Sequence, residues 1–391
     1  MLKPKITEND RLLISLFLPI YAIHCMEQIY FIYGTVVQGY GISQEMTGWV
    51  LGIFFIAIMS ARPLGSWLLE NFGIRRTLVG SSVLGLVGCL VLYFARGITM
   101  ILLGRVLSGL SFGIYTIGIF SYQALIIPEA MRGATFAVVV SGGVLPTATI
   151  TPLGEWLLIG GHLRLYLSLG PLMCVVCWYL GRRVGNAQTV SKDEKQPQWG
   201  SYGDLFVNRP FLVLTVTGML VALVDATTAS MSMYAAEYGV LTSYFLVSSS
   251  VAAVSVRLLG SKMLNRVPRA LLFAPCGMLM AGALCCISLF PSNLTFLVAG
   301  ALFGLGIGAG FPMYLSLISD TLPPALRPKG NATALFLYDS GWFLTPLVIG
   351  YASSFFGIAW TFRLLSLVSL GSLVALQILY WAPAYFRKKR L

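Results

Sequence analysis

Five ionisable side chains stand inside long apolar runs: His24 and Glu27 in the first, Arg105 in the fourth, Asp225 in the seventh and Asp339 in the eleventh. A charge in lipid hydrocarbon is costly, so such residues face a bundle interior, pair with one another, and mark solute or proton routes. Desolvation makes a carboxylate hold its proton, and a nearby arginine makes it release it. A cavity that opens and closes alters both influences, which lets proton occupancy couple to conformation. Glu27, Asp225 and His24 are therefore the candidate proton carriers. His24 sits three residues before Glu27, one helical turn away, where it can relay a proton or simply pack. Glu27 and Arg105 have a second reading, as an ion pair that only joins two helices. Candidate solute contacts are Arg105, Glu27, Asp225 and Asp339 with Tyr30, Tyr115, Tyr122, Gln123, Tyr234, Tyr314 and Trp342. This mixture of charge, amide and aromatic surface suits a polar, amphipathic or zwitterionic organic solute.

The elements that position these groups follow from composition. Of 391 residues, 57% are hydrophobic and 10% charged, with a mean hydropathy of +0.82. A soluble domain carries about 25% charged residues, so this chain has no means of covering a water-facing surface. Only helices and closed barrels satisfy every backbone group in lipid. The runs do not alternate polar with apolar as barrel strands do, so they are helices, each near the ~20 residues that span hydrocarbon. Twelve spans are predicted, near 12–34, 46–69, 75–95, 98–126, 134–159, 165–181, 210–236, 242–264, 269–290, 293–319, 331–355 and 359–385. They are numbered span 1 to span 12 below.

Lys3, Lys5, Arg11, Arg75, Arg76, Arg132, Arg182, Arg183 and the basic tail at 387–390 fall on one side of these spans. The opposite loops hold little beyond Arg96, Arg164 and Arg363. By the positive-inside bias both termini are cytoplasmic, and the first span with its preceding positives reads as a retained signal anchor. The formal charge of +12 comes from these loops. It does not form a basic aromatic face for nucleic acid. All seven cysteines lie in apolar runs, so the Cys174–Cys177 pair reads as packing residues, not as a metal or redox site. No metal, cofactor or nucleotide loop is expected, and there is no nucleophile–base pair that would make the chain an enzyme.

The two halves repeat each other. Residues 60–69 read SARPLGSWLL and residues 255–264 read SVRLLGSKML, 195 positions apart. Gly109 and Gly304, Gly113 and Gly308, and Arg132 and Arg327 share that spacing, and Thr151-Pro152-Leu153 returns as Thr345-Pro346-Leu347 after 194. One period with several matches implies two six-helix bundles, 1–185 and 205–391, joined by a cytoplasmic linker at 186–204, with pseudo-two-fold symmetry about the membrane normal. Glycines four apart also allow close helix packing.

The run from Ser66 to Arg76, SWLLENFGIRR, resembles the loop 2–3 signature of the major facilitator superfamily, G-x-L-a-D-r-x-G-r-r. Glu70 holds the acidic place, Gly73 the tight turn and Arg75 a basic place, while Ser66 and Asn71 depart from the pattern. Arg62-Pro63 resembles the RP variant of drug- and sugar-efflux-like members. The stretch LGRVLSGLSFG at 103–113 is similar to the superfamily's helix-4 motif, and Thr149–Gly154 carries the proline of its antiporter motif with Thr151 in the glycine's place. The resemblance implies a twelve-helix all-α transporter working by alternating access. It assigns a gating role to Arg62, Glu70, Gly73, Arg75, Arg76, Arg132 and Arg257. At ~1.5 Å per residue, Glu27 and Asp225 lie roughly 22 Å from the cytoplasmic ends of their spans and Arg105 roughly 10 Å from the opposite face. With helices 1, 4 and 7 lining the cavity in this family, the three are expected at similar depth and near one another.

The expected function is a proton-coupled exporter of a small organic solute: a metabolite, antibiotic or metallophore. It is expected to act as a monomer in a bacterial inner membrane, with solute, protons and lipid as its partners and no nucleic acid. The alternative is a proton symporter importing an organic acid or sugar.

Overall fold

A computed structural model describes residues 8–127, 139, 141–185, 201–259, 268–323 and 326–390. Regular structure among them is helical, and eleven helices are long and apolar enough to cross a membrane. The chain is a multi-pass membrane protein. Punctuation in the sequence sets the helix ends. Gly73 and Gly357, with φ of 76° each, break the chain between spans 2 and 3 and between spans 11 and 12; an L side chain rarely adopts that conformation. The Asn208 side chain accepts from Phe211 N at 3.0 Å, and Pro210 occupies the first turn, so span 7 starts at Arg209. Ser292 and Thr295 cap span 10 reciprocally. Span 5 is described only in part, as Leu145–Ile159; residues 134–138 and 140 of the expected range lie outside the described residues.

The chain divides into two compact units, Met1–Tyr30 with Ile56–Lys192, and Phe31–Phe55 with Asp193–Leu391. The hairpin Phe31–Phe55 is thus part of the second unit, a division that the linker at 186–204 did not announce. Its glycines explain the placement. A Cβ added to Gly48 would meet the Pro346 carbonyl at 2.5 Å, and one on Gly350 would meet the Gln44 carbonyl at 2.7 Å. Backbone lies on backbone there, and Trp49 Nε1 donates to Tyr351 Oη at 3.1 Å beside it.

Within each unit the sequence repeat recurs as the same packing. In the first, a Cβ on Gly113 would lie 3.0 Å from the Ile58 carbonyl. In the second, a Cβ on Gly308 would lie 3.0 Å from the Ala253 carbonyl. Both members of each pair are 195 residues from their counterparts. Lipid offers no hydrophobic drive between helices, so small residues that let backbones approach hold such seams.

The first helix of each half is interrupted. Span 1 runs Glu8–Gln28, tightens into a 3₁₀ turn at Ile29–Ile32 and resumes at Tyr33–Gly39. Span 7 runs Arg209–Asp225, tightens at Ala226–Ser230 and resumes at Met231–Glu237. Changing the ladder from i→i−4 to i→i−3 disturbs the backbone bonding, and side-chain hydroxyls bond carbonyls at the breaks. In the first unit Thr151 donates to Gln28 O at 3.3 Å and Tyr166 to Ile29 O at 2.7 Å. In the second, Thr345 donates to Leu223 O at 3.0 Å. Thr151 and Thr345 are the matched threonines of the repeat, and Gln28 and Leu223 are 195 residues apart.

A Cβ at position 304 would collide with the Ser249 carbonyl, whereas one at 282 would meet nothing within 4 Å. Gly304→Ala is expected to cost ~1–3 kcal/mol through overpacking and to lower the melting temperature in detergent. Gly282→Ala, measured in parallel, should be neutral or slightly stabilising.

Candidate functional site

Each interrupted helix carries its carboxylate just before the break: Glu27 is the residue before the end of Glu8–Gln28, and Asp225 is the last residue of Arg209–Asp225. The break and its threonine tether therefore fix the turn on which each acid stands.

In the first unit Glu27 and Arg105 are both buried, at 8% and 3% exposure. The Arg105 guanidinium lies over the Tyr30 ring, 5.5 Å from its centroid, one turn beyond Glu27. Tyr30 and Arg105 are thus brought together. A cation over an aromatic face gains more when both are desolvated. His24 Nδ1 bonds to Ile20 O at 2.8 Å and its ring meets Phe112 edge-on at 5.0 Å. Tyr115 donates to Cys177 O at 3.3 Å and is fully buried. Tyr122 Oη accepts from Gly185 N at 3.4 Å. Gln123 is fully buried on span 4.

In the second unit Tyr338 on span 11 donates to the Asp225 carboxylate at 2.9 Å. Arg257 on span 8 attracts the same carboxylate electrostatically. Residues 338 and 342 are one turn apart and share a helix face, which puts Trp342 on the side of span 11 from which Tyr338 reaches Asp225. Phe31 and Phe55 flank Trp342 with centroids at 5.8 and 5.0 Å. Asp225, Arg257, Asp339 and Trp342 are half-buried. Tyr234 and Tyr314 are each fully buried with the hydroxyl donating to a backbone carbonyl, Ile287 at 3.0 Å and Ala334 at 3.0 Å.

Sequence reasoning had not enlisted Tyr338, Phe31 or Phe55. It treated Arg257 as a gate residue by repeat with Arg62. The signal for Tyr338 was its i, i+4 spacing from Trp342. Nothing along the chain announced Phe31 and Phe55, which depend on the hairpin packing with the second unit. Glu27 and Arg105 belong to the first unit and Asp225 to the second.

Of the gate residues, Gly73 makes the tight turn expected of it. Glu70, Arg75 and Arg76 are exposed, and among the described residues no ion pair joins Glu70 to either arginine. Arg62 is half-buried, and Arg132 lies outside the described residues.

Comparison with known proteins places these features. The chain resembles a solved peptide transporter, POT, in a point-mutant form, with a TM-score of 0.78 and 13% identity, covering 96% of this chain and 94% of that one. A POT family transporter in complex with 5-aminolevulinic acid gives a TM-score of 0.79 at 14% identity, covering 96% and 97%. At such identity the likeness is one of fold. Among curated proteins, the facilitated trehalose transporter Tret1 of Polypedilum vanderplanki is 29% identical over 114 residues, 29% of this chain and 21% of that protein. That of Bombyx mori is 30% identical over 107 residues, 27% and 20%. Trehalose transporter 1 of Drosophila melanogaster is 29% identical over 112 residues, 29% and 12%. The matched stretch thus spans between 12% and 21% of these longer relatives. The Major Facilitator Superfamily profile matches residues 12–274 and 250–390, nearly the whole sequence. With a helical multi-pass fold, a superfamily-like loop 2–3 turn at Gly73 and a profile match from end to end, the chain belongs to the Major Facilitator Superfamily and is a transport protein.

Proposed function

We propose that the chain is a proton-coupled secondary transporter of a small, neutral, hydroxylated organic solute of the sugar class, with Asp225 as the coupling acid. The observation that carries this reading is the setting of Asp225. It is a half-buried carboxylate at a helix break, bonded to the neutral donor Tyr338. A carboxylate held by neutral donors can take up a proton without breaking an ion pair, and opening or closing the surrounding space changes how strongly it is desolvated. Trp342, half-buried and packed against the buried Phe31 and Phe55, is the apolar ring on which a sugar's C–H face can rest. The named relatives, trehalose transporters, favour a sugar as the solute. Export is the second reading, favoured by Pro152 within Thr149–Gly154 of span 5. Glu27 and Arg105 form a second ionisable site in the first unit, with a structural or a coupling role.

Proteoliposomes with an imposed pH gradient test this. Asp225→Asn should bind and exchange radiolabelled sugar in counterflow yet fail to accumulate it against a gradient. If Glu27→Gln fails to accumulate and Asp225→Asn does not, the coupling acid is Glu27. Wild-type accumulation by both variants would refute the coupling, and the sign of gradient-driven flux separates uptake from export.

Tyr338→Phe removes one hydrogen bond to a charged group, worth ~1.5–3 kcal/mol. It should lower kcat/KM for uptake roughly ten- to hundredfold at about 1.4 kcal/mol per tenfold. An unchanged kcat/KM would show that the Tyr338 hydroxyl does not serve the solute site.

A further inference from the structure

Spans 3 and 6 pack antiparallel along a seam of small residues. A Cβ on Gly85 would meet Cys174 Sγ at 3.2 Å, one on Gly170 would meet Cys89 Sγ at 3.2 Å, and one on Gly181 would meet Leu78 Cβ at 3.2 Å. The Cys89 and Cys174 sulfurs lie 3.8 Å apart within the seam. Residue numbers rise along span 3 as they fall along span 6. The register carried on from Leu78 and Gly181 therefore sets Arg75 and Arg76 beside Arg182 and Arg183 at one end of the helix pair. Each of the four lies within one helical turn of the Leu78–Gly181 contact, roughly 5 Å along the axis. All four arginines are exposed, while Ile74, Thr77, Leu78, Gly181 and Val184 beside them are buried.

The arginines of span 6 are braced by rings. The Arg182 guanidinium stands 4.7 Å from the Trp178 ring centroid, and that of Arg183 stands 4.4 Å from the Tyr179 centroid. A guanidinium stacked on a ring uses its face and leaves its in-plane N–H donors free, the fork that grips a phosphate. Among the described residues no ion pair takes any of the four, and the exposed Glu70 makes none with Arg75 or Arg76. Residues three and four apart share a helix face. On span 6 the exposed stripe Leu172, Val175 and Tyr179 runs to Arg182 and Arg183. On span 3 the exposed Val87 and Val83 run to Arg76 past Gly80, where an added Cβ would meet nothing within 4 Å. Each helix thus presents hydrocarbon-compatible surface that ends in cations.

We propose that the four-arginine end of spans 3 and 6 is a binding site for an anionic phospholipid of the adjoining leaflet, its phosphate held by Arg76, Arg182 and Arg183 and its acyl chains laid along the two apolar stripes. A zwitterionic lipid is a poorer occupant, because the same cations oppose its ammonium. Free phosphate meets the arginines but gains nothing from the stripes. The opposite ends of the same two helices carry two exposed arginines, Arg96 and Arg164, and give an internal control.

The test is native mass spectrometry of the full chain released from detergent micelles, with phosphatidylglycerol, phosphatidylcholine and sodium phosphate as probes. The wild type is expected to hold phosphatidylglycerol about tenfold more tightly than phosphatidylcholine, and sodium phosphate should not displace it. Arg182→Gln with Arg183→Gln should lower the phosphatidylglycerol affinity about tenfold and leave that for phosphatidylcholine unchanged. Arg96→Gln with Arg164→Gln removes the same charge from the other end of the same helices and should change neither affinity. Arginines that only stabilise the end of span 6 would lower the melting temperature of the first variant and leave its lipid preference intact, which overturns the proposal. An equal fall in both double variants would show a general attraction to positive charge and overturn it too. Displacement of the lipid by sodium phosphate would show an anion site with no lipid specificity. Should the first double variant not fold, Arg76→Gln decides alone: an unchanged preference for phosphatidylglycerol overturns the proposal.

Discussion

A threonine hydroxyl bonded to a backbone carbonyl at a helix break is the constraint on which the ionisable sites depend. Thr151 holds Gln28 O and Thr345 holds Leu223 O, at 3.3 and 3.0 Å. Where a helix passes from α to 3₁₀ geometry inside an apolar environment, no water is at hand for the backbone, and a group left unsatisfied costs several kcal/mol. The tether makes the break affordable and sets where it falls. Glu27 and Asp225, standing just before the breaks, inherit their positions from it.

Close packing then fixes the helices that carry the partners. Gly113 against Ile58 and Gly308 against Ala253 bring spans 2 and 4, and spans 8 and 10, into backbone contact within their own units. Arg257 lies one turn beyond Ala253 on span 8, so the seam that seats Ala253 also sets the height of the guanidinium. Likewise Tyr338 and Trp342 precede Thr345 on span 11, and the bond from Thr345 to Leu223 orients the face that meets Asp225.

The electrostatics of the two units differ for a physical reason. Arg105 is buried and covered by the Tyr30 ring, which suits a charge kept away from water and held in one place. Asp225 and Arg257 are half-buried, and the Tyr338 hydroxyl, a neutral donor, bonds the acid. A direct ion pair at such a site gains attraction at the cost of desolvation.

Much of this was legible along the chain. Composition alone required membrane helices, and apolar run lengths put the ends of spans 4, 6 and 9 within two residues of their observed positions. The Thr-Pro-Leu pair stands out in the sequence at a spacing of 194, beside the 195-residue period of the other matches, because matched sequence makes matched contacts. Intramembrane charges announce themselves, since lipid makes them rare. What the sequence could not supply was partnership. Arg257 read as a gate residue because its repeat mate Arg62 sits beside the loop 2–3 motif, and its attraction to Asp225 depends on how span 8 rotates in its bundle. Tyr234 and Tyr314 read as solute contacts by residue type, yet their hydroxyls are taken by Ile287 and Ala334 carbonyls. Phe31 and Phe55 reach Trp342 only because the glycines of span 2 let that hairpin lie against span 11. Residue type and spacing determine which segments enter the membrane and which positions repeat; helix rotation and backbone proximity, set by packing between distant segments, decide which side chains meet.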